Sequence, residues 1–197
     1  MASTVHPRSR SAGTLVLLGL LLASGCRQQR DEPAVAVDYF TWVNPITAAS
    51  VPLPEGWRHS PEDAARGPTT VGYFAPNFAQ ALHRYGHITL HYEYLNDPAS
   101  PMTLERFVDN FWGYMRHLAR REDGPHFARA AGLATADLTL RAEHDHRVLL
   151  LQVRFWTPDN RDYWYAVIER TEDDARFAAL AAPVVDLLVR STLPPPF

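Results

Sequence analysis

The chain has 197 residues, and 19 basic side chains against 22 acidic ones give it a formal net charge of −3 at pH 7. All the strong bases are arginine, so the absence of lysine excludes Schiff-base chemistry and a phosphate-loop site, both of which need a lysine. The acidic balance also disfavours a nucleic-acid partner, because proteins that bind nucleic acids are usually basic on at least one face.

The first predicted element is a secretion signal at the N-terminus. Arg8 and Arg10 precede an apolar run, residues 15–22, that is too short to span a bilayer. The small residues 23–25 then lead into Cys26, the single cysteine of the chain, which has no second thiol for a disulfide. This segment resembles a bacterial lipoprotein signal with its lipobox. The alternative is an ordinary secretory signal that is cleaved near a buried cysteine.

The lipobox resemblance implies three regions in the chain. Residues 1–25 are the signal peptide and are removed, and Cys26 becomes an N-terminus that carries fatty acyl chains such as palmitate. Residues 26–34 are a polar, lipidated tether, and residues 35–197 are a single domain. The tether and the domain together have 17 basic and 22 acidic side chains, which gives a formal net charge of −5. Acyl chains on Cys26 anchor the protein to a membrane and remove its thiol from catalysis or metal binding. Arg27 rather than Asp after Cys26 favours the outer membrane, facing the periplasm, with the cell surface as an alternative.

Short strands are predicted next, near residues 38–43, 46–53 and 69–74, from their alternating apolar side chains. Between them, the sequence PEGW at residues 54–57 predicts a turn followed by a buried aromatic. The polar segment 58–68 shows no periodicity. A longer strand, residues 87–95, has Ile88 and Leu90 on a core face, and His87, His91 and Glu93 on a face that we expect to be solvated.

A capped amphipathic helix follows this strand. Thr103 is the predicted N-cap, and apolar residues recur at three-and-four spacing as far as Leu118. Gly124-Pro125 is expected to end the helix, which places Arg120 and Arg121 near its C-terminus.

Three strands and a final helix complete the chain. Strands are predicted at residues 137–143, 148–156 and 162–169, with a hairpin connection at residues 158–161. The last of them is apolar on both sides, which indicates a strand inside a sheet that is covered on both faces. The final helix is predicted to begin at Thr171, and Pro183 is expected to kink or split it.

Three segments carry a resemblance to a known family. The turn LPEGW, the strand HITLHYEYL running into TLERFVDNFW, and the ending DYWYAVIERTEDDARFAALAAPVVDLLVRSTL are similar to the PsbP-like superfamily, over roughly residues 51–193. The resemblance implies an α+β fold, an α/β/α sandwich with a central, largely antiparallel sheet and helices on both faces. It supplies no shared catalytic residues and implies a role in binding proteins.

Nine histidines raise the question of a metal site. His87 and His91 lie about 13 Å apart along a strand, which is too far for both rings to reach one zinc ion. His144 and His146 are weak candidates, because their segment is typical of a turn between strands. We therefore expect no metal and no cofactor, and we take Trp156, His87, His91 and Glu93 as candidates for binding a partner.

These observations favour a non-enzymatic envelope accessory or protein-binding module with an envelope protein as partner. No serine lies in a G-x-S-x-G elbow, so the sequence lacks that signature of a hydrolase. Two alternatives stay open. One is a metal-assisted or hydrolytic envelope enzyme that uses His144 and His146, and the other is a carrier that holds a small ligand between sheet and helix.

Overall fold

A computed structural model describes residues 41–65, 67–76, 86–97, 100–144 and 146–193. All of them belong to Ala36–Phe197, the second of two units into which the chain divides. The predicted signal, Cys26 and the tether lie outside the described residues, as do the first residues of the predicted strand 38–43. Within the described ranges, no helix combines the length and the apolar character needed to cross a membrane.

The described residues form nine strands and three helices. The strands are β1 (Thr41–Val43), β2 (Ser50–Pro52), β3 (Trp57–His59), β4 (Thr70–Pro76), β5 (His87–Tyr94), β6 (Ala119–Ala130), β7 (Leu133–His144), β8 (Arg147–Thr157) and β9 (Asp162–Thr171). The helices are α1 (Pro61–Ala64), α2 (Leu104–Met115) and α3 (Ala175–Ser191). β1 and β2 pair with each other, and the other seven strands form an antiparallel sheet in the order β3-β4-β5-β9-β8-β7-β6.

The sheet is covered by a helix on each face, as the doubly apolar strand predicted. β9 lies inside the sheet between β5 and β8, and its side chains alternate between two cores. Trp164 and Ala166 pack with residues of α3, whereas Tyr163 and Tyr165 pack with residues of α2. The predicted α+β class, with a central antiparallel sheet, is confirmed.

The predicted turn PEGW and its buried aromatic are confirmed, whereas the predicted strand 46–53 is present only at Ser50–Pro52. Gly56 has a φ of 82°, which an L side chain adopts only with strain, and the Trp57 N–H donates to the Pro54 carbonyl at 3.1 Å. Trp57 is buried, as PEGW predicts. The polar segment 58–68, in contrast, contains the end of β3 and the short α1, capped by Ser60, whose Oγ accepts a hydrogen bond from the Asp63 N–H.

The predicted extent of α2 is wrong at its C-terminus. Thr103 caps the helix as expected, because its Oγ1 accepts a hydrogen bond from the Arg106 N–H. The helix ends at Met115, however, and the chain then enters β6, which the sequence pattern did not indicate. Leu118 is 60% exposed, so it does not extend the buried face of the helix. Arg120 and Arg121 lie on β6 and pair with β7 instead of closing a helix.

The predicted start of α3 is also wrong. Thr171 ends β9, where it is paired with Leu149 of β8, and Asp174 is the N-cap of the helix. Pro183 lies inside a helix that continues past it to Ser191, so the predicted split does not occur. Its side chain is exposed, and the carbonyl that loses its helical hydrogen bond can bond to water on that side.

Candidate functional site

A cleft opens between α2 and the neighbouring strands β5 and β9. α2 packs mainly on β6, β7 and β8, and a cavity of about 660 Å³ lies beside it on the same face of the sheet. Its described lining consists of Pro68, Thr69, His91, Glu93, Leu95, Met102, Phe107, Asn110, Phe111, Tyr114, Met115, Leu151, Val153, Tyr165, Val167 and Glu169. Most of these side chains are aliphatic or aromatic, so the cleft is apolar with a few polar groups.

His91 lies in the floor of the cleft, where one aromatic ring and three threonine hydroxyls contact its imidazole. Its ring stacks on Tyr165 with 4.4 Å between the ring centroids and 3° between the planes, because the two residues are paired across β5 and β9. Nδ1 lies 3.2 Å from the hydroxyls of Thr69 and Thr70, and Nε2 lies 3.0 Å from Thr89 Oγ1. Burial lowers the pKa of His91 to about 4, so the ring is neutral near pH 7.

Two carboxylates mark the ends of the cleft. Glu93 is paired with Tyr163, and Glu169 lies six residues further along β9, a separation of about 20 Å at about 3.3 Å per residue. Burial raises the pKa of both carboxyls above the ordinary value. Glu169 Oε2 is 4.0 Å from His87 Nε2.

Aromatic packing joins the α2 wall of the cleft to the sheet. Phe107 stacks on Tyr163 at 4.6 Å, and Phe111 meets Tyr165 edge to face at 5.5 Å. The Tyr163 hydroxyl donates to the Met102 carbonyl at 2.8 Å, which ties the strand to the residues just before α2. These contacts hold the N-terminal part of α2 against the sheet.

The strand face that we expected to be solvated is half-buried instead. His87, His91 and Glu93 all have intermediate exposure, because this face of β5 lies beside α2 and under the loop that carries Thr69. The structure brings His91 and Glu93 together in the cleft. His87 is not part of the lining; it stacks on Tyr73 at 4.7 Å, and burial lowers its pKa to about 4.

Trp156, the fourth candidate for binding a partner, lies in the core on the opposite face of the sheet. It is 0% exposed, and its indole N–H donates to Thr192 Oγ1 at 2.7 Å. The expectation that Trp156 marks a rim is corrected by this position, because the C-terminal end of α3 covers the ring.

The two candidate metal ligands lie at the turn between β7 and β8. His144 is the last residue of β7, and His146 occupies the turn with a φ of 62°. Both side chains are exposed. Across the part of the chain that the structure describes, no group of three or more His, Cys, Asp or Glu side chains is placed to hold a metal ion.

A second concave surface lies on the α3 face of the sheet. Arg154 occupies its centre, where its Nε donates to Asp137 Oδ1 at 2.8 Å and its Nη1 to Asp186 Oδ1 at 3.5 Å. The adjoining cavities measure about 290 and 430 Å³. The guanidinium of Arg154 is already paired with two carboxylates, whereas the cleft beside α2 contains a carboxylate, Glu93, that has no cationic partner in the described part of the chain. The cleft is therefore the better candidate for a binding site.

Sequence reasoning missed Tyr165 and Glu169 as members of the site. Both lie in the predicted strand 162–169, for which the sequence indicates burial on both faces and no site. The period-two alternation of β9 does place both on one face with Val167. These residues join the site because β9 pairs with β5, which brings Tyr165 next to His91 from a distant part of the sequence.

Comparisons with known proteins show similarity at the level of the fold. No protein-family model matches the chain, and no curated protein sequence matches it at a significant level. Among solved structures, the chain is similar to LpqN of Mycobacterium tuberculosis, described as involved in cell envelope biogenesis. The TM-score is 0.51 and the identity 17%, over 69% of this chain and 78% of LpqN. A second similar structure is PA94 of Pseudomonas aeruginosa, a protein of unknown function, with a TM-score of 0.43 and 12% identity over 76% of this chain and 93% of PA94.

Proposed function

We propose that this chain is a lipid-anchored, non-enzymatic accessory protein of a bacterial envelope whose domain holds a small, largely apolar ligand in the cleft beside α2. The cleft is the observation that carries the proposal. Its volume of about 660 Å³ lies within the range of about 300 to 1,000 Å³ that is typical of small-molecule sites. An apolar lining with a few polar groups, here His91, Glu93 and Glu169, is the usual composition of such sites.

Two observations support the envelope location. The N-terminal segment has the order of a lipoprotein signal, with Arg8 and Arg10, an apolar run and then Cys26. The fold is similar to that of LpqN, which is described as involved in cell envelope biogenesis. Membrane anchorage through Cys26 would hold the cleft within reach of molecules of that compartment.

The contacts of His91 support a non-enzymatic role. A histidine that activates a nucleophile is usually oriented by a third group, most often a carboxylate. Among the described residues, the hydrogen-bond partners of His91 are threonine hydroxyls, at Thr69, Thr70 and Thr89. Its lowered pKa also makes the ring a weak base near pH 7.

An envelope protein partner is the second candidate, and exposed apolar side chains favour it. Tyr114 is 72% exposed on α2, and Leu118 is 60% exposed just after the helix. Aromatic residues at a surface are common where proteins bind one another. A photo-cross-linking residue at Leu118, but not one at the exposed Val43, should then capture one defined envelope protein in living cells.

The ligand-binding proposal is tested by filling the cleft. The whole mature chain, residues 26–197 with Cys26→Ser to remove the lipid, is titrated with the uncharged fluorophore N-phenyl-1-naphthylamine. We expect saturable binding with enhanced fluorescence. Val167→Trp places a large ring in the cleft and should weaken binding about tenfold or more, a change of about 1.4 kcal/mol.

The matched control is Val43→Trp, the same substitution on β1, where Val43 is 56% exposed. It should bind the fluorophore as the unsubstituted chain does. Circular dichroism and urea melts verify that both variants fold. Absence of saturable binding, or equal binding by Val167→Trp, would contradict the proposal.

A further inference from the structure

Glu93, one of the two carboxylates of the cleft, lacks a cationic partner among the described residues. Within the described residues, Glu93 makes neither a hydrogen bond nor an ion pair. Glu169 has His87 at the long distance of 4.0 Å. Burial raises the pKa of the Glu169 carboxyl, and His144 acts on it electrostatically in the opposite direction, lowering that pKa. The described lining contains no arginine, although the domain has many arginines elsewhere.

His87 and His91 do not supply a positive charge to Glu93. Burial lowers the pKa of both His87 and His91 to about 4, so the two rings are neutral near pH 7. An ionised carboxylate in a half-buried, apolar setting is costly unless a cation or several hydrogen-bond donors approach it. The cleft therefore has an unmet preference for positive charge.

Glu93 is the stronger of the two positions for a cation. It has no neighbour comparable to His87, and it lies on the strand face beside the stacked rings of His91 and Tyr165. Aromatic faces attract cations, and ammonium groups are often bound where aromatic rings and a carboxylate meet. From Glu93 the cleft continues past apolar side chains, including Phe111, Val167 and Met115.

We propose that the ligand is a cationic amphiphile, with an amine or quaternary ammonium group beside Glu93 and an apolar body along Val167 towards Met115. This inference rests on the proposed function, since it names the chemistry of the molecule that the cleft would hold. An anionic amphiphile of the same length would meet two carboxylates and no arginine among the described lining residues, so the cleft discriminates against it.

The test uses three molecules with the same ten-carbon chain: decyltrimethylammonium, decanol and decanoate. Each displaces N-phenyl-1-naphthylamine from residues 26–197 carrying Cys26→Ser, at concentrations below its micelle threshold. We expect the ammonium compound to bind about tenfold more tightly than decanoate, with decanol between them.

Substitutions then locate the charged group. Glu93→Gln keeps the shape of the side chain and should reduce the affinity for decyltrimethylammonium to about that for decanol. Glu169→Gln should have a smaller effect. Glu55→Gln removes a carboxylate from the exposed turn of PEGW and is the matched control, with no expected change. Glu55→Gln should bind N-phenyl-1-naphthylamine as the unsubstituted chain does. For Glu93→Gln and Glu169→Gln, displacement is calculated from each variant's own measured affinity for the fluorophore, and circular dichroism and urea melts verify that all three variants fold.

The outcomes separate this inference from the proposed function. If the fluorophore and decanol bind but decyltrimethylammonium has no advantage, or keeps it in Glu93→Gln, the cationic ligand is rejected and the apolar cleft stands. If no compound displaces the fluorophore and Val167→Trp changes nothing, both proposals fail.

Discussion

His91 illustrates how a single buried side chain combines packing and electrostatics in this domain. Its ring stacks on Tyr165, and its two nitrogens face threonine hydroxyls. These contacts suit the neutral ring, which can donate from one nitrogen and accept at the other. Protonation would place a charge in a half-buried setting, which is why burial holds the pKa of His91 at about 4.

The lowered pKa predicts that acid destabilises the domain. His87 and His91 titrate at about 4 when folded and near 6.5 when unfolded, so between these values the unfolded state binds more protons. Their contribution to stability is complete above pH 6.5 and is lost as the pH falls towards 4. At pH 4.5 the expected loss is about 2.5 kcal/mol for each histidine, to be measured by urea unfolding.

Variants isolate this effect from that of the carboxylates. The raised pKa values of Glu93 and Glu169 affect the free energy of unfolding with the opposite sign as the pH falls. Both carboxyls are present in the wild type and in every histidine variant, so their contribution cancels when the proteins are compared. His91→Gln should therefore lose less stability between pH 7.5 and 4.5 than the wild type. His117→Gln, at an exposed position, should follow the wild type. An unchanged pH dependence in His91→Gln would mean that His91 is not neutral in the fold.

At the scale of elements, α2 has two functions, since it closes one core and forms one wall of the cleft. Leu104, Phe107 and Val108 are buried, whereas Phe111 and Met115 are half-buried and face the cleft. The N-terminal half of the helix therefore contributes most to stability. Its C-terminal half contributes surface for a ligand.

This division predicts a ranking of alanine substitutions. Phe107, 5% exposed, packs against Phe155, Tyr163 and Tyr165, so Phe107→Ala should cost about 3 to 5 kcal/mol of unfolding free energy. Phe111→Ala should cost clearly less because its ring is only half-buried. Arg116→Ala, at the exposed helix end, should stay within about 0.5 kcal/mol. Urea melts that ranked Phe111 above Phe107 would contradict the division.

At the scale of the whole molecule, the proposed anchor and the cleft belong to different parts of the chain. Cys26 lies in the N-terminal region outside the described residues, and the described lining of the cleft comes from residues 68–169. Anchorage and ligand binding should therefore be separable by mutation.

Replacement of Cys26 tests the anchor in cells. Cys26→Ser in the full chain should abolish labelling by a fatty-acid analogue and leave an unprocessed or unanchored protein, because serine offers no thiol to acylate. Val167→Trp is the control, since it alters the cleft and should keep labelling and membrane fractionation. Unchanged labelling of Cys26→Ser would exclude lipidation at this residue.

Sequence alone determined the class of fold because its signals are local. The two apolar faces of β9, the N-cap of α2 and the turn PEGW depend on residues within one element, and the structure confirms each of them. The C-terminal end of α2 and the start of α3 were mispredicted. At both places the residues are paired in a strand, in β6 after α2 and at Thr171 of β9 before α3, and this pairing overrides the helical periodicity of the sequence.

Only the tertiary structure decided where the site lies. It places α2 mainly over β6, β7 and β8, which leaves the cleft at β5 and β9, and it pairs His91 with Tyr165 across 74 residues of sequence. It likewise buries Trp156 under the end of α3 rather than leaving it at a rim. Strand order and the lateral position of a helix arise from contacts between distant segments, and a periodic pattern within one segment does not encode them.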